Sequence, residues 1–118
     1  MSNEGLEVLK GTLDMLVLRI LQHGPSHGYG ITRQLRELTA NALRIDEGSM
    51  YPALYRMQKR GWIEADWALT ETGRRAKVYS LTDSGRTHLE AEQSYWAQFS
   101  EAVARVMEPR SEAPAGGS

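Results

Sequence analysis

The stretch Gly48-Ser49-Met50-Tyr51-Pro52, which continues to Gly61, decides how this chain folds. Proline is tolerated in the first turn of a helix, where the amide protons have no helical acceptor. The stretch therefore predicts a helix that begins near Gly48 or Ser49 and stops at Gly61. At helical spacing Met50, Leu54 and Met57 share one face, which we expect to be buried. The opposite face presents Ser49, Pro52, Tyr55, Arg56, Lys59 and Arg60.

Two helices are predicted before this segment. The apolar residues between Leu9 and Gln22 recur at helical spacing, and His23-Gly24-Pro25 ends the pattern. A second apolar face, which includes Met15 and Leu18, predicts that this helix is buried on two sides, one of them against a second subunit. Another helix is expected from Ser26 to about Leu38.

A hairpin and a long helix are predicted after it. Two extended pieces, residues 62–68 and 75–81, flank a polar and basic tip. Thr82 then caps a last helix, whose apolar residues repeat every seven positions as in a short coiled-coil seam. From Pro109 onward the composition predicts a disordered tail.

Composition sets the class of protein. The chain has 118 residues, of which 41% are hydrophobic and 25% charged, and it has no cysteine. These values predict one globular domain with a tail, and they exclude disulfides, cysteine metal sites and a thiol nucleophile. The lack of a signal peptide or of about 18 consecutive apolar residues predicts a soluble, cytoplasmic protein with no membrane partner.

Charge is distributed unevenly although the formal net charge is only -1. Residues 48–88 carry seven basic and four acidic side chains, whereas residues 89–118 carry two basic and five acidic ones. A basic middle favours an anionic partner bound at one place. Charge alone leaves open an ordinary solvated surface.

The predicted order of elements is that of a winged helix-turn-helix. In that fold the third helix enters the major groove of DNA and the hairpin lies along the backbone or the minor groove. We therefore predict a mainly α fold with a small β-hairpin. Residues 1–82 would form the DNA-binding domain, residues 83–108 a C-terminal dimerisation helix and residues 109–118 the tail.

Several motifs, taken in order, resemble the PadR family of transcriptional regulators. The resemblance covers roughly Leu9 to Leu89, and it implies a dimeric repressor that binds a two-fold symmetric operator. It also implies that the first and last helices form the dimer interface, where some members bind a flat aromatic effector. The matching motifs are Leu9-Lys10-Gly11-Thr12-Leu13-Asp14, His27-Gly28-Tyr29-Gly30-Ile31, Glu47-Gly48-Ser49-Met50-Tyr51-Pro52-Ala53-Leu54, Arg74-Arg75-Ala76-Lys77-Val78-Tyr79 and Leu81-Thr82-Asp83-Ser84-Gly85.

Candidate DNA-binding residues fall in three places. The start of the second helix suits a phosphate, because open amides there favour an anion. On the third helix Arg56 is predicted to read guanine, while Tyr51 either touches a thymine methyl or lies partly in the core. Basic residues of the hairpin would neutralise backbone phosphates. The candidates are Tyr29, Gly30, Arg33, Ser49, Tyr51, Pro52, Tyr55, Arg56, Lys59, Arg74, Arg75 and Lys77.

A second candidate site concerns the last helix. Tyr95, Trp96 and Phe99, facing Met15 and Leu18, are predicted either to line a pocket for a planar ligand or to pack as ordinary interface. The predicted dimer contacts are Leu89, Trp96, Phe99, Val103 and Val106.

Other function classes find no support. The sequence has no catalytic triad spacing, no phosphate-binding loop and no dinucleotide fingerprint, so neither an enzyme nor a cofactor is predicted. Gly24-Pro25 separates His23 from His27, which makes a capping or packing role more fitting than a metal site. The alternative to DNA binding is a module whose third helix docks on a protein groove.

Overall fold

The computed structural model describes residues 6–7 and 11–109. Four helices dominate this part of the chain, and the mainly α fold with a β-hairpin is confirmed. The predicted tail, beyond Pro109, and the first residues of the predicted first helix lie outside the described residues. The helices are α1 (Thr12–Gln22), α2 (Gly28–Leu38), α3 (Glu47–Lys59) and α4 (Asp83–Met107), and the strands are β1 (Leu6–Glu7), β2 (Ser26–His27), β3 (Leu43–Arg44), β4 (Ile63–Leu69) and β5 (Arg75–Leu81).

The hairpin belongs to a three-stranded antiparallel sheet with the order β2-β5-β4. In the hairpin Trp67 lies opposite Lys77, and β2 joins the other edge of β5 with Ser26 opposite Tyr79. The sequence predicted a helix where β2 begins, because two residues are too few to show an alternating pattern. A separate parallel pair joins β1 to β3.

The core lies between the first three helices, the sheet and the start of α4. Met50, Leu54 and Met57 are fully buried, so the predicted inner face of α3 is confirmed. Val17 and Leu18 of α1 are equally buried. This packing fixes α3 with its other face outward.

Side-chain caps set where the helices begin. Asp46 accepts a hydrogen bond from the Ser49 amide at 2.9 Å, so α3 starts at Glu47, earlier than predicted. Pro52 therefore lies in the second turn, on the exposed face. Because proline has no N–H, it cannot donate a helical hydrogen bond to the Gly48 carbonyl. Thr82 caps α4 as predicted, accepting from the Gly85 amide at 3.0 Å.

The two halves of α4 have different surroundings. Leu89 is fully buried in the chain's own core, which corrects its assignment to the dimer interface: it has no surface left for a partner. Beyond it the apolar side chains are exposed, from 37% at Trp96 to 82% at Val106. The chain is elongated, with extents of 65 × 37 × 21 Å.

Candidate nucleic-acid interface

The outer face of α3 is open along its length. Ser49, Pro52, Tyr55, Arg56 and Lys59 are all exposed, as the helical spacing predicted. Because the opposite face is buried, these side chains have a fixed direction relative to the rest of the domain. A helix with one buried face and one polar, basic face suits insertion into the major groove.

Arg56 has a specific partner within the chain. Its Nη2 lies 2.6 Å from Oδ1 of Asp14 on α1, while the Arg56 side chain remains 47% exposed. A guanidinium has five N–H donors, and this contact leaves several of them free. Arg56 is therefore both tied to α1 and available to an external group.

The start of α2 differs from the prediction in one respect. Gly30 is buried, and its amide donates to Nδ1 of His27 at 3.0 Å. The Gly30 amide therefore has a partner within the chain and is not open to a phosphate, which corrects its assignment to the DNA site. His27 acts as the helix cap, one of the two roles predicted for it. Tyr29 and Arg33 of the same helix are exposed.

Tyr51 lies between the core and the surface. It is 47% exposed, and a Cβ atom added at Gly28 would lie 2.7 Å from its ring, so the absence of a side chain at Gly28 makes room for it. Burial, together with the neighbouring Tyr51, raises the pKa of the Tyr79 phenol. Part of the Tyr51 surface thus stays exposed to solvent, while the rest joins α3 to α2.

Three cations around this surface rest on aromatic rings. Arg33 lies 5.9 Å from the ring centre of Tyr29, Lys59 lies 5.6 Å from that of Tyr55, and Arg75 lies 5.1 Å from that of Trp67. One cation comes from α2, one from α3 and one from the hairpin. Each contact restricts a long side chain without using its N–H donors, so the charged groups remain available to bind an anion.

Two neighbouring cavities join these elements into one surface. A cavity of about 460 Å³ lies between α3 and the hairpin, and one of about 540 Å³ lies between α2 and the hairpin tip. His27 and Tyr29 line both. Arg33, Arg74 and Arg75 converge on the second cavity, and Lys77 lines the first. These cavities therefore join Tyr29 and Arg33 of α2, Tyr51 and Tyr55 of α3 and the basic residues of the hairpin into one surface. The other predicted residues of α3 line neither cavity and lie on the exposed face of the helix: Ser49, Pro52, Arg56 and Lys59.

Trp67 was not among the predicted site residues. It is 57% exposed and lines the first cavity together with Tyr29, Tyr51 and Tyr55. In the sequence its alternation with Ile63 and Ala65 marked it only as a strand residue. The register of the hairpin is the feature that identifies it, because Trp67 lies opposite Lys77 and so among the basic residues.

A groove lies where the sequence predicted either a ligand pocket or interface packing, and most of the predicted residues line it. Met15, Tyr95, Trp96 and Phe99 line a groove of about 430 Å³ between α1 and α4, together with Gly11, Thr12 and Glu92. Leu18 is fully buried and does not line it, which corrects that assignment. Leu18 is one turn further along α1, where the helix is covered by the core.

Two other kinds of feature are absent from residues 11–109. No group of three or more histidine or acidic side chains there is arranged to hold a metal ion. No helix of the described residues has the length and apolar character needed to cross a membrane.

The family profile described as "Transcriptional regulator PadR-like family" matches residues 17–91, from the second half of α1 through α2, α3 and the hairpin to the start of α4. The chain belongs to this family. PadR-like proteins are transcriptional regulators rather than enzymes, and membership implies that the chain binds DNA.

Individual relatives agree with this assignment. The chain is 30% identical over 77 residues to the "Negative transcriptional regulator PadR" of Bacillus subtilis, covering 65% of this chain and 42% of that protein. The solved structure of a PadR-like transcriptional regulator from Bacillus cereus is 31% identical, with a TM-score of 0.75 over 86% of this chain and 97% of the other. A PadR family transcription regulator from Clostridium difficile is 32% identical, with a TM-score of 0.70 over 84% and 100%. The winged-helix fold of the PadR-like chain is thereby confirmed.

Proposed function

We propose that this PadR-like chain is a dimeric repressor that places two copies of α3 in successive major grooves of a two-fold symmetric operator. The observation that carries the proposal is the contiguous surface formed by the outer face of α3, the start of α2 and the hairpin. Its exposed aromatic rings hold cations from all three elements. Repression is the activity that the name of the Bacillus subtilis relative states for that protein.

Within this surface the roles divide by position. Ser49, Pro52 and Arg56 on the outer face of α3 would meet base edges, while Tyr51, Tyr55 and Lys59 would meet the groove walls and the backbone. Tyr29 and Arg33, with Arg74, Arg75 and Lys77 of the hairpin, would neutralise phosphates. Trp67 joins this set as the ring that supports Arg75.

Dimerisation is assigned to the distal half of α4. Trp96, Phe99, Val103 and Val106 lie on one side of that half and are exposed within the single chain. Burying such a stripe against its symmetry mate removes apolar surface from water and fixes the distance between the two copies of α3. The second face of α1, at Met15, adjoins the same stripe.

The groove between α1 and α4 is proposed as the effector site. Its walls are the rings of Tyr95, Trp96 and Phe99 with the thioether of Met15, which suit a planar aromatic molecule. For such a molecule to release DNA it must bind one arrangement of the dimer more tightly than the other. Glu92, which also lines the groove, favours a neutral or cationic ring over an anionic one.

A salt titration tests the DNA-binding part of this proposal. Fluorescence anisotropy would follow the full chain binding to a labelled random duplex and to the DNA upstream of its own gene. We expect log K to fall linearly with log salt for both duplexes, with the upstream DNA bound more tightly. Binding to neither duplex, at any salt concentration, would support the protein-docking alternative instead.

A further inference from the structure

One contact joins the outer face of α3 to a helix that does not belong to the DNA surface. Among the ion pairs formed within residues 11–109, that of Arg56 with Asp14 links two different helices, α3 and α1. The two residues are 42 positions apart in the sequence. The other pairs join residues three or four positions apart on α4. The Asp14 contact is therefore a tertiary link rather than local helix pairing.

The burial of the two partners differs. The Asp14 side chain is only 16% exposed, whereas that of Arg56 is 47% exposed. If Arg56 left to contact a base, a largely covered carboxylate would lose its charged partner, and that loss offsets much of what a base contact contributes. Arg56 would therefore contact DNA while its ion pair with Asp14 stays formed.

From this geometry we propose that Asp14 is a positioning residue for sequence readout, acting through Arg56. One Nη2 donor is fixed on the carboxylate, and the donors that remain are presented on the exposed face of α3. A guanidinium fixed in this way loses less side-chain freedom when it binds a base, and its fork keeps one orientation. This inference rests on the proposed major-groove function of α3.

The carboxylate has a second, opposite effect. Asp14 carries a negative charge beside a surface that would approach DNA phosphates, so it weakens binding to any duplex irrespective of sequence. The two effects together predict a result that a purely structural role does not. Removing the charge should lower the preference for the correct sequence while leaving affinity for random DNA equal or higher.

The test uses the full chain and two labelled duplexes of equal length. One is enriched from a random-sequence library by selection on the wild-type protein, and the other is an unselected random duplex. For Asp14→Asn we expect the ratio of the two affinities to fall on the order of 10-fold, with random-duplex affinity unchanged or raised. Glu101→Gln is the matched control, since it removes a carboxylate from an exposed Arg pair on α4, and it should leave the ratio unchanged.

Two further variants show whether Asp14 acts through Arg56. Arg56→Lys keeps the charge but loses the planar fork, so it should lower the ratio about as much as Asp14→Asn does. In an Arg56→Ala background, Asp14→Asn should produce no further loss of the ratio. A urea titration of each variant confirms that the fold is retained.

Two results would overturn the inference: an unchanged ratio for Asp14→Asn, or an equal loss of the ratio in the Arg56→Ala background. Failure of the proposed function looks different. In that case the selection enriches no duplex, and the wild-type protein itself shows no preference.

Discussion

Gly85 and Gly48 occupy the first turns of α4 and α3, yet only one of them is needed for packing. A Cβ atom at position 85 would lie 2.0 Å from the Trp62 carbonyl oxygen, which is backbone and cannot rotate away. A Cβ atom at position 48 would meet only the Asp46 side chain, at 3.5 Å. The close approach at Gly85 is what brings α4 against the start of the hairpin.

We predict that Gly85→Ala destabilises the fold by about 1–3 kcal/mol, because backbone must shift to admit the methyl group. Gly48→Ala should be neutral or stabilising by up to about 1 kcal/mol, because alanine favours the helix. Urea unfolding measures both. Equal free energies of unfolding for the two variants would contradict the packing described at Gly85.

Tyr79 gives the fold a pH dependence at high pH. The residue is 6% exposed, and burial raises the pKa of its phenol above the ordinary value of 10.0. Since the folded state holds this proton more tightly than the unfolded chain, the stabilisation is complete below pH 10 and is lost as pH rises through the folded pKa. Tyr79→Phe should therefore lose less stability above pH 10 than wild type, as urea unfolding across pH 8–11 would show.

For individual residues, the sequence predicted which face of a helix a side chain shares. It predicted less well which element packs against that face. Met50, Leu54 and Met57 were assigned to the core from spacing alone, because the period of a helix determines which residues share a face. Leu18, Leu89 and Gly30 were assigned to surfaces that they do not reach. Their burial depends on which element lies opposite, and one chain's periodicity does not contain that information.

The hairpin acts as a unit in which aromatic rings support cations. Arg75 provides the charge, and Trp67 provides the surface on which it rests. We expect the loss of each side chain to change DNA binding in a different way, since one change would remove the proposed phosphate contact and the other would only loosen it.

For Arg75→Gln we predict that the slope of log K against log salt becomes shallower by about 1.8 per dimer, the value expected for two lost phosphate contacts, one in each chain. Trp67→Leu should weaken binding about 2- to 5-fold with an unchanged slope, because the charge stays while its support is lost. Arg105→Gln on α4 serves as the control and should change neither quantity. A slope change in the Trp67 variant would contradict the supporting role.

The helix α4 combines an anchored half with an open half. His88 stacks on Trp62 with 3.6 Å between ring centres, and Leu89 fills the core beside it. Beyond these residues the apolar side chains of α4 have large exposed fractions. Such a stripe indicates a surface that a second chain would cover.

We predict that Val103→Glu weakens self-association at least 10-fold, because it places a charge within the proposed seam. Gln98→Glu adds the same charge to a different face of α4 and should leave association unchanged. Sedimentation equilibrium on both variants provides the measurement. A dimer unaffected by Val103→Glu would remove this stripe from the interface.

The order of helices and hairpin was predicted from sequence. The short pair of β1 and β3 was not predicted, and two further features were predicted wrongly. The strand β2 has only two residues and exists because β5 lies beside it. The start of α3 was placed too late because Pro52 was expected in the first turn, while the Asp46 cap and the buried face of α3 stabilise a helix that extends further. Both errors arise where tertiary contacts override a local preference.

On the scale of the whole molecule, α1 contacts both proposed sites through adjacent residues. Asp14 reaches the outer face of α3, and Met15 lines the groove against α4. The DNA surface and the effector groove are therefore connected by one rigid helix. In the proposed dimer, a rearrangement at α1 and α4 would therefore reach the proposed recognition surface through α1.

In the proposed complex, two chains related by a two-fold axis insert α3 into successive major grooves of one duplex. Methylation interference on a selected duplex, combined with the binding stoichiometry, tests it most directly. We expect two chains per duplex and two symmetric sets of major-groove contacts about one helical turn apart. One chain per duplex with a single set of contacts, or interference confined to the minor groove, would contradict it.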